Sequence, residues 1–540
     1  MKMTVSQAMV ECLKAENVKV VFGYPGAAIC PFYDALLDAE NDIRQVLVRQ
    51  EANGGHAANG YARISGKPAV CIATSGPGAT NLITAIATAY ADSIPIVCIT
   101  GQVNTDQIGS DVFQEADITG SAEPFVKHSY LLKDPEDTAR VFKEAFYIAG
   151  TGRPGPVLID IPMDVQKSVI DFEYPEKCEI RSYKPTTKGN YVQVRRVMAA
   201  LEEAEKPLIC IGGGVFAAHA ENEIRELADL MQIPVITTMM GISVFPDDDQ
   251  LFCGMIGTHG VKMANAAVNE CDVLFLVGAR VGDRAVKTPL ALEKTTKIIH
   301  IDIDPAEIGK NIADLPLVGD AKLVLQQMTE LAKPMKHDEW IAHIKTLGGE
   351  RKYVEPANGT VNPRVFIDRL AKKMPANVTV VADVGQNQIW TCTEYKFRKE
   401  GRLLTSGGMG TMGYSVPAAI GAKMADNSRA TVAICGDGAF QMSFMELATA
   451  VQFGVDIKVV VMTNNRLGMV RELQTNGYHD RQTAVFLDGS PDFIKLAEAY
   501  GIPAMRVYDD DTMEKGVEML AEHEGICLVE VVVDKDMPTL

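Results

Sequence analysis

Short, strongly apolar runs recur along the chain, separated by longer segments in which apolar residues return every three or four positions. A first group covers Val18–Phe22, Val46–Val48, Ala69–Ala73, Ile94–Thr100 and Val157–Ile161. A second covers Leu208–Ile211, Pro234–Thr237, Val273–Val277 and Lys297–Ile303, and a third Val378–Ala382, Thr431–Cys435, Lys458–Met462 and Cys527–Val533. Most of these runs lack polar alternation, as expected of strands buried on both faces in parallel sheets flanked by helices. Gln166–Tyr191 and Lys333–Pro363 are charged and irregular, and read as linkers. The pattern predicts an α/β chain with three doubly wound parallel-sheet domains, at roughly 1-170, 190-335 and 360-540. Ligands of such sheets bind at the carboxyl ends of strands. Glycine-bearing loops sit there: Gly23–Ala28, Thr74–Asn81, Asp383–Gln388 and Gly436–Gly438.

Composition narrows the function classes. With 540 residues, 47% hydrophobic and 23% charged, the chain can bury several cores. A net charge of −18 argues against nucleic acid or an anionic membrane surface as partner, but leaves small anionic substrates open. No apolar run reaches the length of a membrane span, and the N-terminal stretch reads as an amphipathic helix without a signal-peptide core. The 11 cysteines include no C-x-x-C pair, and Cys71, Cys98, Cys210, Cys435 and Cys527 lie within apolar runs. Reduced core thiols and a cytoplasmic location are expected.

The most informative stretch is Gly436 to Asn465. An aspartate between two glycines follows one strand, and paired asparagines close the next. Asp437 and Asn464 then stand at neighbouring strand ends, offering hard oxygen ligands to Mg²⁺ and to the phosphates it holds. Gly436 and Gly438 let backbone N–H groups approach a diphosphate at a helix N-terminus. In the first domain, Glu51 opens a helix rich in alanine and glycine, where an unpartnered carboxylate would be costly. Gly408–Gly413 fits a dinucleotide-binding glycine pattern, yet no acidic residue stands at the ribose distance that pattern requires.

Spacing of GDG to NN resembles the thiamine-diphosphate (ThDP) fingerprint. FGYPGAAICPFYDAL, RQEANGGHAANGYAR, TSGPGATNLITAIATAY, DVFQEADITG, TGRPGPVLIDIP, HIDIDPAEIGKN, DVGQNQIW, GTMGYSVPAAIGA and NNRLGMV, in that order, resemble the catalytic subunits of the acetolactate (acetohydroxyacid) synthase family. The resemblance implies that Glu51 hydrogen-bonds the cofactor's pyrimidine ring, and that Met412 props the cofactor into a bent shape. It also places Gln114 and Lys127 at the reaction site. By the same match Pro25, Gly26, Thr74, Pro77 and Asn81 would surround the pyrimidine. Gly385, Gln386, Gly410, Gly436, Asp437, Gly438, Ala439, Asn464, Gly468 and Met469 would complete the ThDP site. Asp437, Asn464 and the Arg466 carbonyl would hold Mg²⁺. The central domain resembles the family's FAD domain, implying FAD contacts from Arg153, Gly213, His259, Gly278, Arg280, Arg284, Asp302 and Ile303. Substrates would be 2-keto acids. The active site would lie between subunits of a homodimer or homotetramer, and a regulatory small subunit is compatible with it.

Several positions depart from the family pattern. Thr258 and Val281-Gly282 alter the FAD segments, and Ala27, Asn104 and Met163 lie around the expected substrate channel. Leu473 occupies the place of a tryptophan associated with preferring 2-ketobutyrate as second substrate. Family members usually continue past the last strand into a tail that helps close the site, whereas this sequence stops at Leu540. Other ThDP decarboxylases or carboligases, an FAD-free catabolic acetolactate synthase, and an inactive regulatory or scaffold homologue remain alternatives at this point.

Overall fold

The computed structural model describes residues 1–280, 282, 296–308, 310, 313–349 and 353–540. The first third contains β1 (Lys2–Thr4), β2 (Val20–Gly23), β3 (Arg44–Leu47), β4 (Ala69–Ala73), β5 (Ile96–Gln102), β6 (His128–Leu131), β7 (Val157–Pro162) and β8 (Val169–Asp171). In the middle lie β9 (Pro207–Ile211), β10 (Val235–Thr237), β11 (Phe252–Met255), β12 (Val273–Val277), β13 (Lys297–Asp302) and β14 (Leu315–Val318). The last third holds β15 (Thr379–Ala382), β16 (Arg402–Thr405), β17 (Thr431–Gly436), β18 (Lys458–Thr463), β19 (Ala504–Val507) and β20 (Cys527–Val532).

These strands build three six-stranded parallel sheets, as the apolar runs predict. The first has the order β3-β2-β4-β5-β7-β6, and the third repeats it as β16-β15-β17-β18-β20-β19. The middle sheet runs β11-β10-β9-β12-β13-β14. β1 and β8 form a separate antiparallel ribbon. Each sheet feeds a core on either face. In β4, Val70 and Ile72 join one cluster, while Ala69, Cys71 and Ala73 join the other. This two-sided burial is why such strands read as unbroken apolar runs.

Within the three six-stranded sheets, five strands carried no such run: β6, β11, β14, β16 and β19. All five are sheet edges. An edge strand is paired on one side only, and sequences such as His128-Ser129-Tyr130-Leu131 keep polar residues where a central strand could not. Both linker readings are corrected in part, since Gln166–Tyr191 contains β8. Lys333–Pro363 is not irregular throughout, because Asp338–Leu347 forms a helix whose Trp340 and Ile344 are buried against the middle sheet. The Trp340 indole donates to the Pro207 carbonyl at 3.0 Å. Among the described residues, no helix is long and apolar enough to cross a membrane.

The first and third sheets meet through two helices, Glu51–Ser65 and Ser415–Ala425. Small residues permit the approach: a Cβ on Gly60 would lie 2.0 Å from the Ala418 carbonyl oxygen, and one on Gly421 would lie 1.8 Å from that of Ala57. Gly60 facing Ala418 and Ala57 facing Gly421 make the pair antiparallel. Glu51 and Ser415 therefore stand at opposite ends, separated by about 18 Å along the axis at 1.5 Å per residue.

Candidate active site

Glu51 is the first residue of its helix, and the adjoining turn is gripped from the third domain. The buried Glu446 carboxylate accepts the Arg49 N–H at 2.9 Å and the Asn53 side-chain amide at 3.1 Å. Glu446 was not singled out from sequence, since its role depends on a contact almost 400 residues away. Around Glu51 the structure gathers the ends of β2 and β4. Asn81 donates to the Glu51 carboxylate at 2.9 Å. A Cβ at Gly78 would lie 3.3 Å from Glu51 Oε1 and 2.7 Å from Thr74 Cγ2, and one at Gly26 would lie 2.5 Å from Thr74 Cβ. Gln114, at φ +60°, packs on Gly76. Pro77 opens the short helix that ends at Asn81, and Pro25 is exposed on the neighbouring loop. Among the described residues Thr74 Oγ1 is buried without a hydrogen-bond partner, a polar atom left for a ligand.

A second cluster forms at the ends of β15, β17 and β18. Asp437 is 2% exposed, and its carboxylate accepts the N–H groups of Gly438 (2.8 Å), Asn464 (3.1 Å) and Asn465 (2.6 Å). Burial raises its pKa to about 6, opposed by those three N–H groups, so the group is ionised at neutral pH. The Asn464 amide donates to Gln386 Oε1 at 3.1 Å, and its oxygen accepts the Arg466 N–H at 3.0 Å. Gly468 rests on Gln386, where a Cβ would come within 1.9 Å of Oε1. The nine-residue helix Gln386–Glu394 begins after Gly385, at φ +148°, with no side chain capping it. Its free N–H groups suit an anion. Met412 reaches toward Gly438, its methyl 3.5 Å from where a Cβ would stand, and Gly413 faces Ala439 and Met442.

The C-terminal residues also enter this cluster. Gln386 Nε2 donates to the Met537 carbonyl (2.9 Å) and the Thr539 hydroxyl (3.1 Å), and the Trp390 indole donates to the Pro538 carbonyl at 3.1 Å. The segment around Thr539 is further tied to Glu472, so it lies along the same helix N-terminus.

A cavity of about 1070 Å³ opens where the three domains meet. Arg153, Gly213, His259, Gly278, Arg280, Asp302 and Ile303 line it, together with Gly410 and Met469. Arg284 lies outside the described residues, as does Val281. The Arg153 guanidinium is held by Glu307 (2.6 Å), Asp304 (3.3 Å) and the Ser93 hydroxyl (2.8 Å). Burial raises the pKa of Asp302 to about 6.

Within a single chain the structure places Lys127 apart from Glu51 and Gln114. Lys127 precedes β6, at the opposite end of the sheet from the loops after β2 and β4. Its ammonium donates to the Ile148 and Thr151 carbonyls and to the Tyr183 hydroxyl, which satisfies all three protons. Burial lowers its pKa to about 8, with the Arg153 charge adding to the effect.

Comparison with known proteins defines the class. Three thiamine pyrophosphate enzyme models match in order: the N-terminal TPP binding domain over residues 3–121, the central domain over 194–328 and the C-terminal TPP binding domain over 383–531. The fold is thus that of a thiamine pyrophosphate enzyme. The chain is 44% identical to the probable acetolactate synthase large subunit of Methanocaldococcus jannaschii, over 98% of this chain and 92% of that protein. It is 41% identical to the acetolactate synthase large subunit of Corynebacterium glutamicum, over 99% and 87%. Against the large subunit of Mycobacterium tuberculosis identity is 42%, over 99% and 88%. The chain belongs to the acetolactate synthase large-subunit family.

Proposed function

We propose that the chain is the catalytic subunit of a ThDP- and Mg²⁺-dependent acetolactate synthase, decarboxylating pyruvate and joining the remaining two-carbon unit to a second 2-keto acid for branched-chain amino acid synthesis. The observation that carries this reading is the Asp437–Asn464 pair beside the uncapped Gly385–Gln386 helix end. It offers oxygen donors for a divalent cation directly next to free N–H groups for a diphosphate. Bound ThDP would supply the carbanion chemistry that no side chain provides. The protein's part is placement. The backbone N–H groups around Asp437 fix one carboxylate face toward the cation, with Asn464 Oδ1 and the Arg466 carbonyl completing the protein donors. Met412, leaning on Gly438, would fill the space beneath the cofactor. Glu51, oriented by Asn81 and by the Glu446 grip, would exchange a proton with the pyrimidine, with Thr74 Oγ1 as a further polar contact. Gln114 would face the reacting carbon.

Glu51 is only half-buried, and stands about 18 Å along the helix pair from Ser415, whose N–H is held by Asp383 at the end of β15 on the diphosphate side. A homodimer, in which Glu51 of one copy meets Asp437 of another, satisfies both facts. The cavity suits FAD in a supporting role. Its volume exceeds the roughly 300–1,000 Å³ of ordinary ligand pockets, and the glycines at Gly213 and Gly278 admit a diphosphate. The relatives' description as large subunits supports a regulatory small-subunit partner. Feeding pyruvate to the purified protein, with and without ThDP, Mg²⁺ and FAD, tests the reading. Acetolactate appearing only with ThDP and Mg²⁺ is the expected result, whereas acetaldehyde or acetyl phosphate as sole product refutes it.

A further inference from the structure

The glycine loop that carries Met412 is exposed at Gly407–Gly410, yet it is clamped from the first domain by one helix. The helix Ile83–Asp92 starts beside Asn81, the partner of Glu51, and ends against Gly408. Asp92, whose side chain has no exposed surface, accepts the Gly408 N–H at 2.7 Å through one oxygen, and the Arg63 guanidinium at 2.7 Å through the other. One turn earlier, the fully buried Thr88 meets the Thr411 hydroxyl at 2.7 Å. Thr88 also lies 2.8 Å from the Thr84 carbonyl, so its single proton is committed there and its oxygen accepts from Thr411. Residues 88 and 92 share a helix face, and grip the loop one residue and four residues before Met412. Gly408 leaves no slack, because a Cβ there would lie 2.8 Å from the Ala91 carbonyl oxygen. Beyond Met412, Asp383 holds the Gly413 N–H at 2.9 Å.

We propose that Thr88 and Asp92 are positioning residues that set the height of Met412 beneath the cofactor. This rests on the reading of Met412 as the residue against which the cofactor bends. Held on both sides, the Met412 backbone cannot sink away from a ligand that presses on its side chain. Releasing the first-domain grip lets the loop retreat without removing any group that touches substrate.

The test compares Thr88→Val, Asp92→Asn, Met412→Ala and the Thr88→Val/Met412→Ala double variant, each saturated with ThDP and Mg²⁺. Thr88→Val keeps shape and removes the hydroxyl, which is both the acceptor for Thr411 and the donor to the Thr84 carbonyl. Asp92→Asn leaves Arg63 without its counter-charge, so thermal melting checks its fold and Thr88→Val decides if it fails. Thr88→Val is expected to lower kcat about five- to tenfold, in line with the cost of misplacing a catalytic group by a fraction of an ångström. Pyruvate KM and cofactor Kd should stay within about twofold, and the near-ultraviolet circular dichroism of bound cofactor should weaken. Met412→Ala should do the same more strongly, and the double variant should be no worse than Met412→Ala alone. Wild-type kcat and dichroism in Thr88→Val, or losses that multiply in the double variant, overturn the clamp while leaving the Met412 reading intact. An inert Met412→Ala overturns both.

Discussion

Substituting Gly421 by alanine strikes the contact that joins the first and third domains. The new methyl would lie 1.8 Å from the Ala57 carbonyl oxygen, whereas ordinary contact begins near 3.4 Å. The two helices must therefore part by about 1.6 Å, because the obstructing atom is backbone and has no rotamer to escape into. Overpacking of this kind costs about 1–3 kcal/mol. The same displacement stretches the buried Tyr414–Asn59 hydrogen bond, 2.8 Å long, for about 1 kcal/mol more. The expected loss is thus about 2–4 kcal/mol, and cofactor affinity should fall with it, since the pair spaces Glu51 from Met412. Urea titration followed by circular dichroism, with ThDP binding measured alongside, reads both effects on the first unfolding transition. Gly349→Ala is the control, since among the described residues nothing lies within 4 Å of a Cβ there, and it should change stability by no more than about 0.5 kcal/mol. If Gly421→Ala matches that control in both measurements, the close helix contact does not set the domain spacing.

Glu51→Gln keeps the shape and the Asn81 contact but removes the exchangeable proton. Turnover should drop at least about 100-fold with ThDP binding retained, and full-speed turnover would refute the role. Asp160, 1% exposed, has its pKa raised to about 7 by burial, against hydrogen bonds from Thr100 and Gln102. Because the folded state favours the protonated acid, the stability this group contributes is complete below the unfolded value near 3.8 and is lost as pH rises through about 7. Asp160→Asn, which mimics the neutral acid, should therefore gain on the parent protein between pH 5 and pH 8 in urea-unfolding free energy, by at most about 3 kcal/mol; a pH-independent difference contradicts this. Leu473 is 66% exposed on the Gly468–Gly477 helix. Leu473→Trp should shift competition between pyruvate and 2-ketobutyrate toward 2-ketobutyrate by about tenfold, worth 1–2 kcal/mol of aromatic contact, and an unchanged product ratio rejects that role.

What could be read directly from the residues was whatever repeats locally. The central strands announced themselves because burial on both faces demands unbroken apolar runs, and Asp437 and Asn464 because the loop chemistry at a strand end is written within a few residues. The family motifs along the chain then tied Glu51 to the same chemistry.

Long-range placement needed the folded chain. Edge strands such as β6 and β16 were missed because solvent on one side relaxes the demand for apolar residues. The linker helix Asp338–Leu347 gains its stability from burying Trp340 against a distant sheet, which no local pattern records. Only tertiary contacts revealed that Glu446 steadies the turn before Glu51, that Lys127 stands at the opposite end of its sheet from Glu51, and that Glu51 and Ser415 lie at opposite ends of one helix pair. Local sequence sets which groups can do chemistry, because bonding capacity belongs to the residue. Where those groups meet depends on packing between segments hundreds of residues apart, and that is decided only when the sheets close on each other.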